Sequence, residues 1–346
     1  MLSMFWSFGP VGMGLHRDGG VTASPAPSRA RPRIGIALGA GAARGWSHIG
    51  ILRELEAAGI RPDIVVGTSI GAVVGGFYAA GKLDALEEFA RSVTRRRMVG
   101  LLDLSLSGSA IFGGTRLRQK IEEALGGIDI ADMPRRFTAV ATEIGSGHEI
   151  WLRDGPAATA LNASYAMPGI LEPVRVHNRW LFDGALVNPI PVSVCRALGA
   201  DIVIAVSLVS DTMFRGSVVG DRHAGDGAVD VLADKIEEAT AGSSWLGGAH
   251  ARRFLKRYFT RPANGVPGIT NVMLDAFTIT QDRIARSRLA GDPPDILIAT
   301  RLEDIGLFDF HKAPVMIARG RDAARRRMPD IEDHLHGLPA RPSDRA

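Results

Sequence analysis

Cysteine is nearly missing from this sequence. Its 346 residues include one, Cys195, so no internal disulfide can form and no multi-cysteine metal site can be built. That fits a reducing compartment without requiring one. No run of about 18 apolar residues occurs, so no membrane-spanning helix is expected. A strong charge of one sign is also lacking. The formal net charge of +4 suits an anionic surface such as phospholipid and is too mild for a dedicated nucleic-acid binder. Basic residues are absent before the apolar start Met1–Phe8, the first being Arg17. A secretory signal carries its charge ahead of the apolar stretch, so none is expected. The protein is therefore expected in the cytoplasm, at most peripheral to the inner membrane surface.

What is present is a sizeable core: 46% of residues are apolar and 23% charged, enough for one large α/β domain or two small ones. The pattern favours one domain over 33–327, with a Pro/Ser/Arg-rich tail at 1–32, a decorating insertion at about 210–268 and a polar tail at 328–346. Arg33–Leu38 reads as a buried strand, followed by a glycine-rich loop and a helix to about Ala58. Within that helix His48, Ile51, Leu52 and Leu55 share one inward face. Further strands are expected at Ile64–Val66, Phe137–Glu143, Glu149–Leu152, Asp201–Ser207 and Asp295–Ala299, with a hairpin turning at His177-Asn178. Helices are expected at Leu83–Arg97, Thr115–Leu125, Ala157–Tyr165, Pro191–Leu198, Thr270–Leu289 and Lys312–Arg327. Alternating strands and helices predict an α/β fold with a mostly parallel sheet covered on both faces. Within the insertion, Arg252–Phe259 places aromatic and basic residues on opposite sides, as an interfacial helix does, though a packed surface helix is the commoner source of such a pattern.

Three stretches carry chemistry. Ile64–Ala72 passes from a β-branched run through Gly67-Thr68-Ser69-Ile70-Gly71 into an apolar helix. Strand, sharp turn and helix are the context of a nucleophile elbow, with glycines where side chains would clash. A helix-capping serine in an ordinary turn gives the same letters. Gly39-Ala40-Gly41-Ala42-Ala43-Arg44-Gly45 can turn backbone N–H groups toward an anion at a helix N-terminus. The dinucleotide fingerprint fails there, because Arg44 stands where its third glycine belongs and the second strand ends in Gly67-Thr68-Ser69 rather than an acid. An oxyanion hole is the better account. Asp183-Gly184-Ala185 places a carboxylate at a strand end; a plain Asx turn reads alike. A conventional hydrolase would need a late histidine. His311 is the best candidate, and a Ser, Asp, His order is not convincingly present.

In these three blocks, and in this order, the chain resembles the patatin-like phospholipases. Ala163–Gly169 and Val187–Pro191 match sequence habitual in the family's bacterial branch, which is similar to the catalytic domain of neuropathy target esterase. The resemblance covers Arg33 to Ser207 well and continues loosely to about Arg327. It implies a three-layer α/β/α sandwich and a serine lipid acyl hydrolase acting on phospholipid or lysophospholipid esters, without metal or cofactor. It further implies a Ser69–Asp183 dyad, an oxyanion hole from the N–H groups of Gly41 and Ala42 with Ala40, and supporting roles for Gly39, Gly45, Gly67, Gly71, Gly184 and Ala185. Arg44 would brace the loop or meet a phosphate headgroup. The family loop is usually glycine throughout, and the alternation here predicts that only Gly39 and Gly41 carry positive φ. A non-catalytic lipid-binding or adaptor protein on the same fold is the alternative.

Overall fold

The computed structural model describes residues 31–94, 97–98, 101, 110–208, 269–302 and 304–337. The expected N-terminal tail up to residue 30, the whole insertion with the helix expected at 252–259, and the end of the C-terminal tail lie outside them.

In chain order the elements are β1 (Ile34–Leu38), α1 (Ser47–Ala57), β2 (Ile64–Thr68), α2 (Ile70–Ala79) and α3 (Leu83–Ser92). Next come β3 (Ala110–Phe112), α4 (Thr115–Leu125), β4 (Arg136–Glu143), β5 (Glu149–Leu152) and α5 (Ala157–Tyr165). Then follow β6 (Gly169–Leu171), β7 (Val174–Val176), β8 (Arg179–Asp183), α6 (Val192–Ala197) and β9 (Ile202–Ser207). After the insertion stand α7 (Ile269–Gly291), β10 (Ile296–Ala299) and α8 (Ala313–Gly337).

The main sheet has the order β10-β9-β1-β2-β4-β8-β7, with β5 on the other edge of β4. Its first five strands are parallel; β5 and β8 pair antiparallel with β4, and β7 pairs antiparallel with β8. The parallel strands are apolar on both faces because both are covered. Ile36, Leu38, Val65 and Ile204 pack with α1, α2, α5 and α8, while Ala37, Val66, Val203 and Ala205 pack with α6 and α7. This is the expected three-layer sandwich.

Two helix ends differ from expectation. α3 stops at Ser92, since Val93 turns extended and buries its side chain. α8 runs past Arg327 to Gly337 despite Pro329 inside it, and Ile331 in this added stretch is fully buried. The core contact offsets the hydrogen bond that the proline removes.

Register on β4 sets the active end of the sheet. One edge of β4 carries β2, whose last residue Thr68 faces Val140. The next residue, Ala141, faces Asp183 at the end of the oncoming β8. β5 pairs with Ala139–Thr142 and so occupies the opposite edge. β2 and β8 therefore meet end to end along one strand.

Candidate active site

Ser69 sits between β2 and α2 with φ 57 and ψ −125, a backbone conformation that costs a non-glycine residue about 1–3 kcal/mol. Its neighbours make the turn sterically feasible. A Cβ at Gly67 would strike the Gly71 carbonyl, and one at Gly71 would strike the Leu38 carbonyl. The Ser69 N–H donates to Ser164 Oγ at 2.9 Å, and Ser164 Oγ–H donates to the Val140 carbonyl at 2.6 Å. Thr68 Oγ1 donates to the Asn188 carbonyl at 2.8 Å.

Asp183 is held as closely. Its N–H donates to the Ala166 carbonyl, and its carbonyl accepts from Thr142 Oγ1, both at 2.9 Å. Gly184 presses against β4, where a Cβ would strike the Val140 carbonyl. The carboxylate accepts the Ala185 N–H on Oδ1 at 2.8 Å and the Ser69 hydroxyl on Oδ2 at 2.7 Å. Both side chains are buried, at 6% and 1% exposure. Burial pushes the Asp183 carboxyl up to about 7, against the opposing pull of its bonds from Ala185 and Ser69. A carboxylate that has lost its hydration is a stronger base than one in water.

The glycine-rich loop passes beside this pair. Ala40 is not among its free donors, contrary to expectation, because its N–H is committed to the Pro189 carbonyl at 2.9 Å. Ala43 N–H is likewise bound, to the Leu307 carbonyl at 2.9 Å. Between them, the N–H groups of Gly41 and Ala42 have no partner among the described residues. The left-handed φ falls on Ala42, at 49°, and not on Gly39 or Gly41. Those two glycines are required by close approach, since a Cβ would lie 2.6 Å from the Val206 carbonyl at Gly39 and 2.8 Å from Leu208 Cδ1 at Gly41. Gly45 packs against Ile70.

Arg44 braces the loop, its Nε donating to the Ile305 carbonyl at 2.9 Å. Trp46 Nε1 reaches the Phe310 carbonyl at 3.2 Å, and the two rings meet edge to face at 5.9 Å. His311 lies on the short helical turn Phe310–Lys312 of this strap; the Ser69 hydroxyl goes to Asp183 instead. Among the described residues no group of three or more His, Cys, Asp or Glu side chains is placed to hold a metal ion.

A cavity of about 460 Å³ opens next to Ser69 and Ala42. Its wall is mainly apolar, with Val73, Phe77, Phe112, Leu171 and Phe310 contributing. Leu101 lines it as well.

Sequence reasoning missed several residues that hold this arrangement. Ser164 and the Asn188-Pro189 carbonyls lie inside the stretches 163–169 and 187–191, to which the family resemblance assigns no role. The spacing of His48 predicts an inward-facing helix residue. It is indeed fully buried, and its Nε2 lies 2.8 Å from the Gly39 carbonyl.

The patatin-like phospholipase family model matches residues 36–196. An uncharacterized NTE family protein of Mycobacterium tuberculosis is 33% identical over 354 residues, covering 89% of this chain and 96% of that protein. Human patatin-like phospholipase domain-containing protein 6 is 32% identical over 199 residues, covering 56% of this chain and 14% of that protein. A lysophospholipase of Yarrowia lipolytica is 35% identical over 182 residues, covering 51% of this chain and 13% of that protein. The chain belongs to the patatin-like phospholipase family, on the branch of the NTE proteins.

Proposed function

We propose that this chain hydrolyses acyl esters of phospholipids or lysophospholipids through a Ser69–Asp183 dyad in the domain spanning 33–327. The class, lipid acyl hydrolase, follows from the family. The direct 2.7 Å hydrogen bond between two buried side chains 114 residues apart is the observation that carries the finer reading. Ser69 Oγ attacks the ester carbonyl and its proton passes to Asp183. The N–H groups of Gly41 and Ala42 receive the oxyanion. Collapse breaks the ester bond, and Asp183 returns the proton to the departing alcohol. Water then attacks the acyl-serine, gives its proton to Asp183, and the fatty acid leaves as Ser69 regains its hydrogen. The apolar cavity beside Ser69 holds the acyl chain, as its volume and lining suit.

Contact with an anionic membrane belongs to the same reading. Trp180 is 51% exposed and Ile144 41% exposed on adjoining hairpins of β4–β5 and β7–β8. Arg175 stacks over Trp180 at 6.0 Å, and Arg179 lies beside it on the strand that ends in Asp183. Aromatic rings with arginine suit a headgroup layer. No helix among the described residues is long and apolar enough to cross a membrane. The buried lone thiol of Cys195 supports a cytoplasmic site for this contact.

The test is hydrolysis of a p-nitrophenyl or lysophospholipid ester by the wild type, Ser69→Ala and Asp183→Asn. Loss of at least about 10³-fold in the first variant and about 10²–10⁴-fold in the second is expected. Activity surviving Ser69→Ala ends the proposal. A wild type that binds lipid yet resists a fluorophosphonate probe points to an adaptor.

A further inference from the structure

We infer that His48 is a positioning residue for the amide cradle beside Ser69, acting from α1 through the Gly39–Ala40 peptide without touching substrate. The inference rests on the hydrolase reading for its catalytic consequence, and on geometry for the rest.

His48 is the second residue of α1 and has no exposed surface. Its Nε2 lies 2.8 Å from the Gly39 carbonyl oxygen. A carbonyl only accepts, so Nε2 carries the proton. Burial lowers the imidazole to about 4, which leaves it a neutral donor at ordinary pH. Its Nδ1 is buried without a partner among the described residues. An apolar side chain would fill the same space without stranding that nitrogen, so packing is a poor reason for a histidine here. The bond to Gly39 is the better one.

That bond lands on a peptide unit fixed at its other end as well, since the Ala40 N–H is held by the Pro189 carbonyl. A peptide gripped at both its C=O and its N–H cannot crank about the chain. The next two N–H groups, of Gly41 and Ala42, are the unpartnered pair, and the peptide beyond them is fixed through Ala43 to Leu307. The cradle is thus a short span between two anchored planes, with His48 as one anchor. The span also stores strain, because Ala42 sits at φ 49°, a left-handed angle that L-residues adopt only at a cost. Releasing the Gly39 carbonyl lets that strain relax and turns the Gly41 N–H off its aim. Small misplacements of this kind cost about 10²-fold in rate.

Two variants separate the hydrogen bond from the packing. His48→Gln keeps an N–H near the place of Nε2; His48→Leu keeps bulk alone. On a p-nitrophenyl ester, His48→Leu is expected to lower kcat about 10- to 100-fold with KM nearly unchanged, and to slow fluorophosphonate labelling in parallel. His48→Gln is expected to recover most of both. The amide resonances of Gly41 and Ala42 should shift and exchange faster in His48→Leu and stay near their wild-type values in His48→Gln. Those resonances decide the matter even if the wild type hydrolyses no ester, an outcome that would sink the hydrolase reading and not this one. Equal loss in both variants, or wild-type behaviour of His48→Leu, overturns the inference. If His48→Leu fails to fold, imidazole nitrogen resonances of the wild type still decide it: a proton found on Nδ1 instead of Nε2 overturns it.

Discussion

Thr68 and Asp183 face consecutive residues on one edge of β4, Val140 and Ala141. One register step on a single strand therefore places the end of the nucleophile strand against the end of the strand bearing the acid. The two side chains that meet are Ser69, next after Thr68, and Asp183 itself. Gly184 is what lets the chain leave β8 tight against β4, because a Cβ there would strike the Val140 carbonyl. Gly184→Ala must push Asp183 away from β4. A destabilisation of about 1–3 kcal/mol is expected, together with loss of esterase activity beyond what the melting curve accounts for. Chemical denaturation and p-nitrophenyl ester turnover on the same sample check both.

The Asp183 carboxyl gives opposite signs to activity and stability. As the base it must be ionised, so kcat/KM is expected to fall as pH drops through about 7. For stability, its folded pKa lies above the ordinary 3.8, so the native state holds the proton more tightly than the unfolded chain. The contribution of this group is then fullest below about pH 4, declines as pH rises through about 7, and is flat above. Its size is of the order of a few kcal/mol. Asp183→Asn has no such slope. Denaturation curves of the two proteins at pH 5 to 8 should show the variant gaining on the wild type as pH rises, while its turnover stays near background throughout. Parallel curves would show that the carboxyl is not buried as drawn.

Trp180 and Arg175 are paired across β7 and β8 and stand clear of the cavity wall. Trp180→Ala and Arg175→Ala are expected to weaken cosedimentation with vesicles rich in phosphatidylserine, by about fivefold for the lost arginine, since each such charge is worth about 1 kcal/mol near an anionic surface. Raised salt should weaken the wild type in the same direction. Turnover of a soluble p-nitrophenyl ester should not change. Equal binding of wild type and variants places the membrane contact elsewhere.

Local chemistry made much of this legible in advance. The run Ile64–Ala72 carries its own strand, turn and helix signals, and Thr115–Leu125 and Ala157–Tyr165 have the bounds their periodicity and turn residues imply. Asp183 at a strand end followed by Ala185 was legible as well. The facing of β8 with β2 along β4 was not, because register between distant strands depends on pairing that no local pattern records. The same holds for Ser164, bonded to Ser69 from 95 positions away, and for the carbonyls of Asn188 and Pro189. Backbone acceptors leave no mark in a sequence. His48 shows the limit most sharply: its spacing gives its face, and says nothing of the carbonyl that waits there. The polar composition from residue 328 onward suggested a tail beyond α8, and a single buried Ile331 outweighed it.

The loop itself offers a test of where its strain lies. Alternating Gly and Ala from Gly39 to Ala42 pointed to the glycines as carriers of positive φ, yet the angle of 49° belongs to Ala42. Gly41, at φ 160, lies outside the left-handed region and is small because Leu208 lies against it. A glycine at position 42 would remove about 1–2 kcal/mol of native-state strain. It would also make the unfolded chain more flexible, at a cost of about 0.4–1 kcal/mol. The net expectation for Ala42→Gly is a gain in stability between about zero and 1.6 kcal/mol, read from the urea midpoint at unchanged m. Its N–H stays in place, so kcat should remain within a few-fold of wild type. Glycine at position 40, where no positive φ needs relief and a buried methyl is removed, should instead cost stability. Ala42→Gly losing stability as Ala40→Gly does would mean that the left-handed angle is not carried at residue 42.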